Sequence, residues 1–116
     1  MKQDKNCVFC KIANGQIPAN KLYEDDRIIA FWDINPAAPV HFLVVPKEHI
    51  PTLDDASSQH RDILGQMLLV AADLARQHGI GKDGYRQVVN CRELAGQVVF
   101  HLHVHILGGR QMKKMG

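Results

Sequence analysis

Near its C-terminal end the chain reads His101-Leu102-His103-Val104-His105-Ile106-Leu107. Strand side chains alternate between faces. An extended conformation here therefore puts three histidines on one face and Leu102, Val104 and Ile106 on the other. The apolar face needs a packed layer against it, and the histidine face needs a different use. Same-face positions lie roughly 6.5–7 Å apart along a strand, so three imidazoles can hold one extended polar ligand or pass protons between its parts. Neutral imidazole is a nucleophile, an acid–base catalyst near pH 7 and a metal ligand. The pattern alone leaves open a solvated polar face, a metal site and a catalytic row.

The remaining pattern supplies the layers. The spacing predicts a short helix over 7–14 closed by Gly15, then strands over 21–24 and 27–33 around the Asp25-Asp26 turn signal. Residues 40–45 (VHFLVV) suit a central strand that Pro46 ends. From about 57 to 78, Ile63, Leu64, Met67, Leu68, Ala71, Leu74 and Ala75 recur at helical steps, with Ser57 or Ser58 available as a cap. Strands are predicted at 85–90 and 98–107. Most inter-strand connections are too short for parallel crossovers. The expectation is an α+β domain: a five-stranded antiparallel sheet, one long helix and a short N-terminal helix, with the helices on one face. His60 and His78 are expected on the helix in solvent, and Cys91 as a buried small residue.

A chain of 116 residues fits one domain, read as 1–116 with flexible tails at 1–6 and 111–116. A formal net charge of +2, without a basic stripe, argues against nucleic acid as a partner. No apolar run approaches a membrane span, and the polar start leads into no signal-like stretch. The expectation is a soluble, cytoplasmic protein. Three cysteines are too few and too uneven for a disulfide framework.

The triple histidine–apolar repeat resembles the motif of the histidine triad (HIT) family. Cys10-Lys11-Ile12, Ile17-Pro18, Tyr23-Glu24-Asp25, Phe31-Trp32-Asp33-Ile34-Asn35-Pro36, the segment from His41 to Lys47 and Gly108-Gly109-Arg110-Gln111 are similar to its Hint-like branch. The resemblance implies a homodimer whose sheets join into one ten-stranded sheet. It also implies a purine nucleotide ligand such as AMP or GMP, and hydrolysis of nucleoside 5′-phosphoramidates without a metal in the chemistry. His103 would attack the α-phosphorus to form a nucleotidyl-histidine. His105 would contact the phosphate, and His41 and His101 would complete the catalytic set. Asp33 matches the ribose-binding carboxylate, and Phe9, Ile12, Phe31 and Ile34 match the walls around the base. Asn90, Gly96, Gln97 and Val98 match groups at the phosphate and leaving-group end. Val98 departs from the Ser or Thr that many members carry there, which implies weakened protonation of the leaving group. From the residues alone, Phe9, Ile12, Phe31 and Ile34 read equally well as core, and Asp33 as a turn residue.

Cys7-Val8-Phe9-Cys10 does not follow a strand in a βαβ unit, which counts against a thioredoxin-like role. Some relatives carry a structural zinc on positions that match Cys7, Cys10, His49 and His101. Two thiolates and two imidazoles form the closed set of a structural zinc site. The alternatives are two buried thiols and a surface His49. Three functions stay open: a purine nucleoside phosphoramidase, a dinucleoside polyphosphate hydrolase, and a non-catalytic nucleotide-binding or scaffold protein.

Overall fold

The computed structural model describes residues 1–115, so the expected tail at 111–116 falls partly outside the described residues. In chain order the elements are α1 (Val8–Ala13), β1 (Lys21–Glu24), β2 (Ile28–Trp32), β3 (Val40–Pro46), α2 (Arg61–Gln77), β4 (Tyr85–Val88) and β5 (Val104–Gly108). The strands form one antiparallel sheet in the order β1-β2-β3-β5-β4. The expected α+β architecture holds. The β1–β2 turn is made by Asp25, whose carboxylate accepts the backbone N–H groups of Arg27 and Ile28 at 2.7 and 2.8 Å. A short acidic side chain satisfies those donors where the chain reverses.

One face of the sheet carries Ile28, Ala30, Phe42, Val44, Val104 and Ile106 against Ile63, Met67, Ala71, Leu74 and Ala75 of α2. Leu102 joins this core, so the apolar half of the histidine segment packs as predicted. The opposite face carries Ile29, Phe31, Leu43 and Val45 against Phe9 of α1. The helices therefore flank both faces rather than one. The reason lies in β2, which is apolar without interruption, and β3, apolar but for His41, both of which bury side chains on both faces.

Several boundaries move. α2 starts at Arg61, after a 3-10 turn over Ser58–His60. His60 is buried and its Nδ1 accepts the Ser57 N–H at 3.0 Å, so Ser57 caps as expected, with the imidazole as the reciprocal half of a capping box, and His60 is not solvated. His78 is half-buried, its ring edge-on to Trp32 at 5.1 Å. Cys91 is half-buried rather than buried.

The largest shift concerns the last strand. It begins at Val104, not at 98, so His101 and His103 precede the ladder. Val44↔Val104 is the last β3–β5 pair, and Pro46 beyond it has no N–H to donate. The segment before β5 is instead held by loops. The Leu102 N–H donates to the Ile50 carbonyl at 2.6 Å, and the Gln97 side-chain amide donates to the Pro51 and Val99 carbonyls. Among the described residues no helix is long and apolar enough to cross a membrane.

Candidate active site

A cleft of about 630 Å³ opens on the α1 side of the sheet. Phe9, Ile12 and Phe31 line its apolar part, with Ile34 on the rim, 92% exposed. Asp33, His41, His103 and His105 supply polar groups, and Asn90, Gly96 and Val98 also line the cleft. Eleven of the positions singled out in the sequence thus converge on one cavity. Gln97 does not line it: its side chain is turned inward, accepting the Arg92 N–H at 2.7 Å and donating to two loop carbonyls. It pins the loop that carries Gly96 and Val98. His101 is also absent from the lining and fully buried. Ile17, Pro18, Asn20 and Trp32 line the cleft as well. Ile17, Pro18 and Trp32 enter the sequence reading only through the family likeness, with no role assigned, and Asn20 carries no signal in the local pattern.

The hydrogen-bond partners fix where each imidazole carries its proton. His103 Nδ1 lies 2.7 Å from the His101 carbonyl, which can only accept. Nδ1 is therefore N–H, and Nε2 keeps a bare lone pair. His41 Nδ1 accepts the Ala37 N–H at 2.9 Å, so the hydrogen of neutral His41 sits on Nε2. That atom faces His105 Nδ1 at 3.0 Å and Asp33 Oδ2 at 3.4 Å. His105 then accepts on Nδ1 and presents Nε2–H. Two neighbouring rings, 4.9 Å apart by centroid, thus offer opposite chemistry, an acceptor at His103 and a donor at His105.

Burial holds these rings neutral. It lowers the His103 and His41 pKa values below the usual imidazole range, and lowers His105 to about 4, with His103 and His41 adding repulsion to the charged form. For His41 and His105 the unfolded chain binds more protons than the native protein once pH drops below 6.5. Their contribution to stability is whole above 6.5 and is lost as pH falls toward about 4. Urea midpoints should therefore fall steadily across that window. Midpoints that hold or rise there would mean the rings are charged in the native state.

Behind His103 lies a second cluster. Cys7, Cys10, His49 and His101 bring one donor atom each to within 4.8 Å of one another. His101 Nδ1 is 3.3 Å from Cys7 Sγ, 3.5 Å from Cys10 Sγ and 3.1 Å from His49 Nδ1, and Cys10 Sγ is 3.4 Å from His49 Nδ1. Zinc bonds of about 2.0–2.3 Å place tetrahedral donors roughly 3.3–3.8 Å apart, so the donor set fits a metal of that kind. His101 Nε2–H donates to the Pro46 carbonyl at 2.7 Å, which fixes its tautomer and leaves Nδ1 bare toward the thiols, the orientation metal-bound histidines need. Burial pushes the Cys10 thiol up to about 11 and lowers His101 to about 4. A metal ion reverses the cost of the thiolate by supplying the opposite charge. Lys2 meets the same region, its carbonyl accepting the His49 N–H at 2.6 Å.

The HIT domain pattern matches residues 14–112. The chain belongs to the HIT domain family. This HIT protein is 46% identical to the purine nucleoside phosphoramidase of Escherichia coli K12 over 108 residues, covering 93% of this chain and 91% of that protein. Among solved structures it superposes on a HIT family hydrolase from Legionella pneumophila Philadelphia 1 with a TM-score of 0.92 at 48% identity, covering 93% and 96% of the two chains. A histidine triad protein from Clostridium difficile gives 0.94 at 45%, covering 98% and 99%. The cleft of this HIT protein offers a bare imidazole acceptor at His103 beside an N–H donor at His105.

Proposed function

We propose that this HIT protein hydrolyses purine nucleoside 5′-phosphoramidates through a nucleotidyl-histidine on His103. The observation that carries the reading is His103 itself: Nδ1 is committed to the His101 carbonyl and Nε2 is bare in an open cleft. The phosphoramidase activity named for the 46% identical E. coli relative supports the choice of reaction.

In this reading the base lies among Phe9, Ile12, Phe31 and Ile34. Asp33 Oδ2 accepts the ribose hydroxyls, while Oδ1 stays occupied by the Asn35 N–H at 2.8 Å. His105 Nε2–H donates to a phosphoryl oxygen. His103 Nε2 forms a bond to the α-phosphorus as the P–N bond breaks, and the amine departs with a proton delivered through water. The His101 carbonyl stabilises the charge that appears on the substituted imidazole. Water then attacks phosphorus, His103 leaves as neutral imidazole, and the nucleoside monophosphate is released. Splitting one displacement into two is the advantage of covalent catalysis.

Cys7, Cys10, His49 and His101 would hold a structural zinc, which would brace the segment carrying the His101 carbonyl and take no part in the chemistry. The three free thiols suit a reducing compartment such as the cytoplasm. A homodimer with a ten-stranded sheet would need one edge strand, β1 or β4, to meet its counterpart.

Hydrolysis of adenosine 5′-phosphoramidate beside diadenosine triphosphate, without added metal, tests the substrate. Preference for the dinucleotide would make the protein a dinucleoside polyphosphate hydrolase. Binding of AMP with no turnover of either would make it a binding protein. Val98, 88% exposed and lining the cleft, keeps its backbone N–H but offers no side-chain donor to the departing amine. Val98→Ser should raise kcat for the phosphoramidate about tenfold, the worth of roughly one hydrogen bond at the transition state. An unchanged kcat would show that water already protonates the amine efficiently.

A further inference from the structure

The tautomers of the cleft are set by a chain of bonds that reaches the surface. The loop between β2 and β3 carries Pro36-Ala37-Ala38-Pro39. At one end Asp33 accepts the Asn35 N–H. At the other, Gly109 at φ 91° packs against Pro39, where an added Cβ would lie 3.0 Å from the ring. Between them the Ala37 N–H donates to His41 Nδ1 and the Ala37 carbonyl accepts from Arg110 Nη2 at 2.9 Å. Among the described residues, the other guanidinium bonds of Arg110 go to its own neighbours, the Gln111 carbonyl and Met112 Sδ.

We propose that Arg110 is a positioning residue that locks the His41–His105 pair in its productive tautomer by holding the Ala37 residue in place. His41 has one ring nitrogen that faces His105 and one that faces Ala37. With the Ala37 N–H donating, His41 must carry its hydrogen on Nε2, and His105 must carry its own on the nitrogen that faces the cleft. Without that donor only the more distant Asp33 Oδ2, 3.4 Å from Nε2, still favours the hydrogen there, and the Nδ1–H form of His41 becomes accessible. Its Nε2 then becomes an acceptor, His105 takes a hydrogen on Nδ1 to meet it, and the cleft loses its N–H. The effect resembles a Ser–His–Asp triad with the wrong histidine tautomer, which loses up to about 10⁴ in turnover.

The side chain of Arg110 is exposed, so a merely structural role would be small and would register in stability rather than in protonation. The catalytic consequence rests on the phosphoramidase reading; the tautomer does not. The experiment is long-range proton–nitrogen correlation spectroscopy on the full chain without substrate, which identifies the protonated nitrogen of each histidine, together with kcat and KM for adenosine 5′-phosphoramidate. The wild type is expected to show Nε2–H for both His41 and His105. Arg110→Ala should show mixed tautomers at His105, with kcat down roughly tenfold and KM within about twofold, a partial loss of a donor to the phosphoryl oxygen worth about 10²–10³ in full. Arg110→Lys, which keeps a donor, should recover most of both. An Nδ1–H tautomer at wild-type His105 overturns the proposal, as does an unmixed Nε2–H tautomer in Arg110→Ala. A shifted tautomer with unchanged kcat overturns its catalytic half. If the wild type has the expected tautomers but cleaves no phosphoramidate, the reaction assignment fails and the clamp stands.

Discussion

His103→Ala is expected to reduce phosphoramidate turnover by at least about 10⁴-fold, the scale on which removal of a covalent nucleophile is felt elsewhere. AMP affinity should stay within a few-fold, because the groups proposed to hold base and ribose are on other elements: Phe9 and Ile12 on α1, Phe31 on β2 and Asp33 just after it. Contamination of this result by misfolding is checkable. The His103 ring packs edge-on to Phe9 at 5.1 Å, so its removal leaves a small void and should lower the melting temperature modestly. The decisive comparison is therefore AMP binding by calorimetry against kcat, with a melting curve for each protein. A variant that binds AMP but retains even a tenth of the wild-type kcat would mean that a different group, or water directly, attacks phosphorus.

Loss of the Cys/His cluster should have the largest effect on stability. Purified protein is expected to contain about one zinc per chain, the stoichiometry of one closed four-ligand site. Removal of the metal by a chelator, or Cys10→Ser, should cost about 3 kcal/mol or more, which at roughly 3–4 °C per kcal/mol lowers Tm by about 10 °C. The site joins the start of α1 (Cys7 caps it and Cys10 lies within it) to His49, three residues past β3, and the approach to β5. With the ion gone, the protein keeps four buried or half-buried donors with no shared partner, and Cys10 reverts to a neutral thiol held well above its ordinary range. Activity should fall along with stability, because His101 is both a donor in the cluster and the residue whose carbonyl orients His103. Protein purified metal-free with an unchanged melting temperature in Cys10→Ser would reduce the cluster to packed thiols and imidazoles.

Much of this was readable in the chain. The long helix, the hairpin at Asp25 and the central strand at 40–46 follow from local rules of period and turn chemistry, and the structure has them within a few residues. The two-sided burial of β2 and β3 was also written in their apolar runs, broken only by His41, although the alternation of the histidine segment draws attention to a one-sided sheet. The start of β5 was not legible. Val98 to Leu107 is uniformly β-prone, and only the partner decides where the ladder stops. Pro46 lies 58 positions before Val104 in the chain but opposite Leu102 in register, inferred by extending the Val44↔Val104 pairing. His60 shows the same limit. A histidine at the head of an amphipathic helix reads as solvated, and only the approach of Ser57 and Glu48 makes it a buried acceptor and donor. The cleft residues were legible through family likeness rather than through spacing. Arg110 carried no signal of its partnership with Ala37, which depends on two loops meeting.

The early exit of residues 98–103 from the sheet has a consequence for how such a centre can be probed and how it can drift. Because His101 lies outside the ladder, its main-chain oxygen is not consumed by a neighbouring strand and is free to grip the ring two residues later. That oxygen belongs to every amino acid alike. A scan of substitutions at position 101 would alter the proposed ligand set while leaving the acceptor atom in place, so it reaches the grip only indirectly, through the bracing of the segment. The group becomes visible only to backbone chemistry. An ester in place of the amide between His101 and Leu102 would weaken the oxygen as an acceptor and delete the N–H that ties Leu102 to Ile50. The orientation of the attacking ring is, in that sense, encoded by chain path alone, and sequence turnover at this position is constrained by the cluster behind it rather than by the chemistry in front.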